Sequence, residues 1–221
     1  MKTIAVIPAY NEETKIGGVV SATLPFVSEV IVVDDGSSDN TETIARASGA
    51  RVVRHIVNRG LGGALGTGIR VATDSGDIVV TLDADGQHDS TEIPNLIAPI
   101  EQGFADVVLG SRMLNPLGMP YSRQIAQHIG NIVTLIACGA WVSDSQSGFR
   151  AFSSDAAKRL NIISNRMEVS SEIVGAIHRE GLRLAEVPIR VIYTDYSLAK
   201  GQSFKVGLKT MYKLFLRRLG K

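Results

Sequence analysis

Short apolar runs alternate with amphipathic stretches along the first half of the chain. The runs are rich in β-branched residues, which is typical of buried strands, whereas apolar residues spaced three or four apart indicate helices. The predicted strands cover residues 3–8, 29–34, 51–56, 77–82 and 106–110. The predicted helices between them cover residues 12–24, 39–48, 60–73 and 91–102.

This order of elements predicts an α/β protein whose central sheet is mostly parallel and flanked by helices. Right-handed crossovers bring the carboxyl ends of the strands to one edge of such a sheet, and ligands bind in the crevice outside those ends. We therefore expect the chemistry to lie directly after the positions where the strands end, which are Pro8, Asp34, Leu82 and Gly110.

The second half of the chain is less regular. It predicts helices at 122–139 and 168–180 and a short strand at 147–152. A further strand is predicted at 183–193, and Pro188 within it indicates a position at the edge of the sheet. A final helix at 204–219 has apolar residues on one face and a stripe of basic residues beside it.

The composition narrows the class of protein. The 221 residues, 44% of them hydrophobic and 20% charged, suffice for one sizeable core and are too few for two ordinary domains. The single cysteine, Cys138, excludes an internal disulfide framework and suits a reducing compartment. The most apolar stretch, 132–142, is shorter than the ~20 residues that span a bilayer. The first residues lack the pattern of a signal peptide, so we expect a cytoplasmic protein.

The charge is segregated, although the formal net charge is only +1. No acidic residue follows Asp195, whereas these basic residues do: Lys200, Lys205, Lys209, Lys213, Arg217, Arg218 and Lys221. A basic amphipathic helix over 204–221 is typical of an element that binds an anionic membrane surface. It is equally typical of a helix that docks on the core with a solvated basic flank, and the pattern leaves both interpretations open.

Two acidic residues follow the fourth predicted strand, in the segment Asp83-Ala-Asp-Gly-Gln-His88. Residues i and i+2 of an extended segment project to the same side, so Asp83 and Asp85 would face one point at the ligand edge. Their like charges repel unless a cation lies beside them, and oxygen ligands suit Mg²⁺ or Mn²⁺. The alternative is a solvated turn, because Asp and Gly are common turn residues.

Other candidates follow the remaining strands. Asp35, after the second strand, can accept a hydrogen bond from a nucleobase or a ribose hydroxyl. Arg112, after the fifth strand, can hold phosphate oxygens with two hydrogen bonds, and Arg123 fits either that role or a plain surface position. The glycine-rich segment 58–68 fits neither a P-loop nor Gly-x-Gly-x-x-Gly, so we interpret it as a site of close helix packing. The same mismatch argues against a dinucleotide oxidoreductase.

Taken together, the motifs resemble those of the family 2 glycosyltransferases of the GT-A fold. They occur in family order as Pro8-Ala-Tyr-Asn-Glu-Glu13, Val33-Asp-Asp-Gly-Ser-Ser-Asp39, Asn58-Arg-Gly-Leu-Gly62, Asp83-Ala-Asp-Gly-Gln-His88, Gly110-Ser-Arg112 and Ser147-Gly-Phe-Arg150. Within this family the chain is most similar to the dolichyl-phosphate mannose synthases and related polyprenyl-phosphate sugar transferases. The resemblance covers nearly all the chain and is most specific in the first 112 residues.

The resemblance implies a role for each candidate residue. The residues implied in binding the nucleotide sugar are Pro8, Tyr10, Glu12, Asp35, Asp83 and Lys200. The implied ligands of Mg²⁺ or Mn²⁺ are Asp85 and Gln87. Asp85 is also implied in catalysis, with Arg112 and Arg123 near the phosphates and Asp144 where relatives with hydroxyl acceptors often place a catalytic base.

The resemblance also implies a single domain over residues 1–221. Its parts would be a nucleotide-binding half at 1–112, an acceptor half at 113–203 and the basic amphipathic helix at 204–221. The chain departs from the family pattern at one place. Such synthases carry a segment Arg-x-x-Gly-x-Ser-Lys near the end, and this chain has a different sequence at the corresponding residues 193–203. The residues of this chain that are candidates for the same role are Tyr196, Ser197, Lys200 and Ser203.

The implied activity is the inverting transfer of a hexose from GDP-mannose or a UDP-sugar to a polyprenyl (dolichyl) phosphate. The protein would act peripherally at the cytoplasmic face of a membrane and would have no nucleic-acid partner. Two alternatives remain open at this point. One is a family 2 enzyme with a hydroxyl acceptor on a glycan or glycolipid and Asp144 as its base. The other is a nucleotide-sugar sensor without turnover.

Overall fold

The computed structural model of the chain describes residues 1–116, 119–166, 168–190 and 192. Its centre is a single sheet with the strand order β3-β2-β1-β4-β6-β5-β7. Neighbouring strands are parallel except that β6 runs antiparallel to both β4 and β5. The strands are β1 (Thr3–Ala9), β2 (Glu29–Asp34), β3 (Arg51–Arg54), β4 (Ile78–Thr81), β5 (Val107–Ser111), β6 (Arg150–Ser153) and β7 (Leu184–Pro188).

Helices cover both faces of this sheet. Successive side chains of each strand point to opposite faces, so apolar strands need a helical layer on both sides. Ala5 and Ile7 of β1 belong to the core on one face, whereas Ile4 and Val6 belong to the core on the other face. The helices are α1 (Ile16–Thr23), α2 (Thr41–Ala47), α3 (Leu61–Thr73), α4 (Ile93–Glu101), α5 (Tyr121–Cys138), α6 (Ser154–Arg159) and α7 (Val169–Arg179). Short 3-10 helices at Leu24–Phe26 and Ser90–Glu92 precede β2 and α4.

The predicted fold class is confirmed, and so is the edge position of the strand that contains Pro188. That strand, β7, is the last in the sheet order and ends at Pro188. The predicted final helix at 204–219 lies outside the described residues.

Two predicted starts are wrong, and one helix was not predicted. The first helix begins at Ile16 rather than at residue 12, because the backbone amides of Glu12 and Glu13 donate hydrogen bonds to Thr41 Oγ1 and Asp39 Oδ2. The sixth strand begins at Arg150, since residues 147–149 form a loop. Helix α6 was not predicted, because its six residues are too few to show a hydrophobic period.

The glycines of α3 allow this helix to lie directly on the sheet, as the sequence predicts. A Cβ atom at Gly68 would lie 2.9 Å from Val33 Cγ2 and closer still to Val6 Cγ1. Gly66, on the same helix, has only an ordinary contact of 3.7 Å with Ile162 Cβ. Close packing of α3 on β1 and β2 therefore depends on Gly68, and the high glycine content alone does not account for it.

We expect Gly68→Ala to lower the free energy of unfolding by about 1–3 kcal/mol, because it overpacks the contact with β1 and β2. Gly66→Ala is the matched control and should be neutral or stabilising by up to ~1 kcal/mol, since alanine is the better helix former. Urea unfolding followed by circular dichroism measures both. Equal effects at the two positions would contradict this account of the packing.

Candidate functional site

The candidate residues gather at the point where the sheet reverses its winding. From β1 the chain adds β2 and β3 on one side, and then crosses to place β4 on the other side. The crevice outside the carboxyl ends of two such strands is the usual ligand site of an open α/β sheet. Tyr10 and Glu12 follow β1 at this point, while Asp83 and Asp85 follow β4.

The loop after β1 is held rigidly against the loop after β2. The backbone amide of Asn11 donates to Ser37 Oγ (2.9 Å), and the Asn11 side chain accepts from the Ser38 amide (2.9 Å). Asn11 adopts a left-handed conformation with φ of 54°. Tyr10 is thereby left half exposed at the crevice, whereas Pro8 is buried inside β1.

Asp35 lies at the predicted edge, but its carboxylate is largely engaged within the protein. Oδ1 accepts hydrogen bonds from His55 Nδ1 (2.7 Å) and from the Arg59 amide (2.9 Å), and Oδ2 accepts from the Gly60 amide (2.7 Å). The second ring nitrogen of His55 lies 3.0 Å from Thr67 Oγ1 of α3. Asp35 therefore ties the ends of β2 and β3 to the start of α3, and Oδ2 retains one acceptor position.

Several positive groups act on the carboxylate of Asp83. Its Oδ2 lies 3.0 Å from His88 Nε2, and the His88 ring packs on Phe149 with the ring centroids 5.1 Å apart. Burial by itself raises the pKa of Asp83. The His88 hydrogen bond and the charges of His88, Arg112 and Arg150 outweigh that effect, so the pKa of the carboxyl lies below its ordinary value. Asp83 is consequently ionised near neutral pH.

The loop 145–150 passes directly beneath Asp83. A Cβ atom at Gly148 would lie 2.6 Å from Asp83 Oδ2, so no larger residue fits there without moving the carboxylate. Arg150 is buried, and its Nε and Nη2 donate to the carbonyls of Ser147 (2.7 Å) and Ser145 (3.0 Å). Burial lowers the pKa of Arg150 to about 10, opposed by Asp83 and Asp144, and leaves it positive at neutral pH.

A small pocket opens beside Asp83, between α3 and α7. Its polar lining includes Asp83, Gln146 and Arg150, and its apolar lining includes Leu65 and Ile173 of the two helices. A pocket with a carboxylate, an amide and a guanidinium on one wall suits a ligand that carries several hydroxyl groups.

Asp85 and Gln87 form a local pair two residues beyond Asp83. The Gln87 backbone amide donates to Asp85 Oδ1 (3.0 Å), and the Gln87 side-chain amide contacts Asp85 Oδ2. Within the described ranges no cluster of three or more His, Cys, Asp or Glu residues could hold a metal ion. Two carboxylates and an amide oxygen fit Mg²⁺ or Mn²⁺ only if substrate oxygens or waters complete the shell, as is common for Mg²⁺.

Arg112 and Asp144 form a two-point ion pair on the other side of the crevice. Nε of Arg112 donates to Asp144 Oδ2 (2.6 Å), and Nη2 donates to Asp144 Oδ1 (2.7 Å). The Arg112 amide and Gln127 Nε2 also donate to the same carboxylate, at 3.1 and 2.7 Å. Asp144 is fully buried. A carboxylate with four donors is not positioned to take a proton from an acceptor, so the geometry does not support Asp144 as a base.

The remaining predicted residues are less well placed. Arg123 lies in the first turn of α5 and is partly buried, and whether it meets a phosphate remains a prediction. Lys200 lies outside the described residues, as do the other candidates of segment 193–203.

Sequence reasoning gave no role to three residues that orient the site. They are His55, which holds Asp35, Arg150, which lies beneath Asp83, and Gln127, which supports Asp144. A signal for Gln127 was available. Gln127, Asn131 and Thr134 share one face of the predicted helix, and the side chains of all three are buried.

Comparisons with known proteins show what the chain is similar to over most of its length. The family described as Glycosyl transferase family 2 matches residues 4–160. The chain is 37% identical to the UDP-N-acetylglucosamine--dolichyl-phosphate N-acetylglucosaminyltransferase of Methanococcus voltae, over 98% of this chain and 96% of that protein. It is 29% identical to the undecaprenyl-phosphate mannosyltransferase of Micrococcus luteus, over 94% of this chain and 90% of that protein.

A solved structure is also similar. It is glucosyl-3-phosphoglycerate synthase from Mycobacterium tuberculosis in complex with Mn²⁺, uridine diphosphate and glucosyl-3-phosphoglycerate. The TM-score is 0.72 at 26% sequence identity, and the match covers 99% of this chain and 80% of that chain.

We expect His55→Leu to lower the free energy of unfolding by about 1–3 kcal/mol, because it removes a partner of the buried Asp35 carboxylate. His128→Leu, at an exposed position of α5, is the matched control and should change stability by less than ~0.5 kcal/mol. A double-mutant cycle with Asp35→Asn, read by urea unfolding, tests the pairing. A coupling energy near zero would show that the contact between His55 and Asp35 does not order this loop.

Proposed function

The chain is a member of glycosyl transferase family 2, and from that premise we propose that it moves a hexose from a nucleoside diphosphate sugar to a polyprenyl phosphate. The observation that carries the proposal is the meeting of opposite charges at one edge of the sheet. Asp83 and Asp85 follow β4, and Arg112, fixed by Asp144, follows β5. Acidic residues suit a metal-bound diphosphate, and a fixed guanidinium suits a second phosphate.

The donor nucleotide would lie across the crevice between β1 and β4. Tyr10 is exposed there for contact with the base, and Glu12 lies beside it. Pro8 would act only through the backbone end of β1, and Asp35 would offer the base or ribose its remaining acceptor position. The name of the Methanococcus relative and the uridine diphosphate in the similar structure favour a UDP-sugar over GDP-mannose.

The hexose would occupy the pocket beside Asp83. Asp83 is ionised and can accept hydrogen bonds from two sugar hydroxyls, while Gln146 lies on the same wall. Gly148 keeps the Asp83 carboxylate in place from below. This pocket would set the choice of sugar.

Asp85 and Gln87 would hold Mg²⁺ or Mn²⁺ together with diphosphate oxygens. When bound, such an ion offsets the negative charge that develops on the leaving diphosphate. The buried guanidinium of Arg150 adds a fixed positive charge near Asp83 that requires no reorganisation during the reaction.

The acceptor phosphate would approach Arg112, with Arg123 as a second positive group. In the reaction an acceptor oxygen forms a bond to the anomeric carbon while the bond from that carbon to the diphosphate oxygen breaks. A single displacement of this kind inverts the anomeric configuration. A phosphate is already ionised near neutral pH, so the step needs no strong general base. This agrees with a site in which the carboxylate of Asp144 is occupied by Arg112.

The alternative of a hydroxyl acceptor requires a base that can reach the acceptor. Asp144 does not support this alternative, because its carboxylate is completely buried and accepts hydrogen bonds from four donor groups. The alternative of a sensor without turnover has no specific support, since the acidic pair and the oriented arginine are both in place. A sensor would bind a nucleotide sugar in calorimetry and release no nucleoside diphosphate.

Within the described ranges, no helix combines the length and hydropathy needed to cross a membrane. We further propose peripheral binding at the cytoplasmic face of a membrane, because both named relatives act on lipid-linked phosphates. The basic residues after Asp195, including Lys200, would favour an anionic surface.

We expect Asp85→Asn to lower kcat/KM for sugar transfer by about 100-fold or more in the presence of Mn²⁺, because the charge that holds the cation is lost. Asp89→Asn is the matched control, since asparagine also caps the 3-10 helix that Asp89 begins. Transfer is measured from a labelled nucleotide sugar to a prenyl phosphate. Full activity of Asp85→Asn across a Mn²⁺ titration would remove Asp85 from the proposed metal site.

Asp144→Asn separates the two kinds of acceptor. For a phosphate acceptor we expect the acceptor KM to rise by roughly tenfold as Arg112 loses its orientation, with kcat and its pH profile nearly unchanged. For a hydroxyl acceptor, loss of the base would lower kcat by about 10²–10⁴-fold. Arg112→Lys, which keeps the charge without the two-point geometry, should reproduce the KM effect, and thermal unfolding checks that both variants are folded. A mild-acid-labile, butanol-extractable product would identify the prenyl-phosphate glycoside.

A further inference from the structure

Helix α5 is amphipathic with its polarity reversed relative to an ordinary surface helix. Its inward face is polar and buried. There Gln127 and Asn131 bond to Asp144 and Ser145, and Thr134 lies 2.9 Å from Ser171 Oγ. Its outward face is apolar and exposed, which leaves a stripe of large hydrophobic side chains in contact with solvent. Monomeric proteins rarely expose such contiguous patches without a partner.

The stripe, here named the α5 outer face, follows the helical spacing of four, four, three and four residues and continues just past the end of the helix. Its members are between 47% and 76% exposed and are Tyr121, Ile125, Ile129, Ile132, Ile136 and Trp141. Aliphatic residues occupy the middle of the stripe and an aromatic residue lies at each end. Aromatic residues with a polar tip favour the boundary between lipid chains and headgroups.

We propose that the α5 outer face is the surface by which this protein lies in the headgroup region of an anionic lipid bilayer. The same helix contributes Gln127 to the pair of Arg112 and Asp144 on its other side. Seating the outer face in the bilayer therefore brings Arg112 within about one helix diameter, ~10 Å, of the lipid phosphates. The assignment of a lipid phosphate to Arg112 rests on the proposed function, whereas the bilayer contact rests on the helix alone.

Charge favours a bilayer as the occupant of this face. Residues 121–138 contain no Asp or Glu, and Arg123 and His128 are the basic residues of the helix. The chain after Asp195 adds seven basic residues and no acidic one. A single helix face is also narrow for a stable dimer, which needs about 800 Å² on each partner. Two other groups could cover the α5 outer face instead of a bilayer, namely a second copy of the chain and the chain's own residues 193–221. The experiments below distinguish these from the bilayer.

Trp141 is the single tryptophan of the chain and lies at one end of the α5 outer face, 57% exposed. We expect its fluorescence to shift to the blue when the wild-type protein meets vesicles of phosphatidylcholine and phosphatidylglycerol, and to be quenched by brominated lipids. Vesicles that bind the protein without any change in Trp141 emission would overturn the proposal. Shielding of Trp141 from acrylamide before vesicles are added would also overturn it, because residues 193–221 would then cover the face.

The triple variant Ile125→Gln, Ile129→Gln, Ile136→Gln tests the helix itself. We expect its vesicle partition coefficient to fall by about tenfold or more in sedimentation. The matched control is Ile56→Gln, Phe104→Gln, Ile163→Gln, which removes three apolar side chains that are 67–99% exposed elsewhere and should bind vesicles like the wild type. Equal losses in both variants, or no loss in either, would refute a specific role of α5. Concentration-dependent dimerisation that only the α5 variant abolishes, without an effect on vesicle binding, would assign the face to a second copy instead.

Activity assays separate this proposal from the proposed function. Both triple variants should keep wild-type kcat with a short, water-soluble prenyl phosphate. Only the α5 variant should lose activity, by about fivefold or more, toward a long-chain prenyl phosphate embedded in vesicles. If the wild type transfers sugar to neither acceptor, the proposed function fails, while fluorescence and sedimentation still decide whether α5 binds the bilayer.

Discussion

Asp144 is completely buried, and its negative charge is balanced through two hydrogen bonds from Arg112. Such a pair adds little net stability, because the cost of removing two charges from water offsets their attraction, yet removal of one partner is strongly destabilising. Its physical effect is therefore orientation. The pair fixes a guanidinium at the carboxyl end of β5, and Gln127 extends the pair to α5, so the position of this helix and of the arginine are linked.

A second charge arrangement lies across the crevice and depends on the first. Asp83 stays ionised although its surroundings disfavour a charge, because His88, Arg112 and Arg150 act on it together. Arg150 in turn is buried beneath the loop and remains charged with Asp83 and Asp144 nearby. The site is thus a set of fixed opposite charges in a partly dry crevice, where electrostatic interactions are stronger than in water. This arrangement suits a reaction in which a diphosphate leaves and a second phosphate approaches.

The reversed polarity of α5 follows from the same network. A helix that must satisfy a buried carboxylate and the loop at 143–145 presents its polar residues inward, so its apolar residues face outward. In an ordinary soluble protein this would be unfavourable in water. The cost is offset if the outer face meets lipid, and the same helix would then join the charged site to the surface where a lipid-linked acceptor is found.

The sequence by itself determined the architecture and the edge at which the site lies. Apolar runs of β-branched residues alternating with amphipathic stretches leave few arrangements other than a mostly parallel sheet, and strand ends such as Asp34 and Thr81 then meet at one edge. The prediction that Asp83 and Asp85 face the same point followed from the two-residue period of extended backbone, which is a local property of the chain. Close helix packing by the glycine-rich segment 58–68 was also predicted, because its glycines match no phosphate-binding motif.

Only the tertiary structure decided which partner each charged side chain meets. Arg112 and Asp144 are 32 residues apart, and Asp35 and His55 are 20 apart, so no local pattern could show that these pairs are engaged with each other. Asp144 was consequently predicted as a possible base, and its hydrogen bonds from Arg112 and Gln127 argue against that role. The antiparallel insertion of β6 between β4 and β5, which places Gly148 under Asp83, likewise depends on contacts between distant segments. Periodicity records which face of an element is buried, whereas the identity of the neighbours is a property of the folded chain alone.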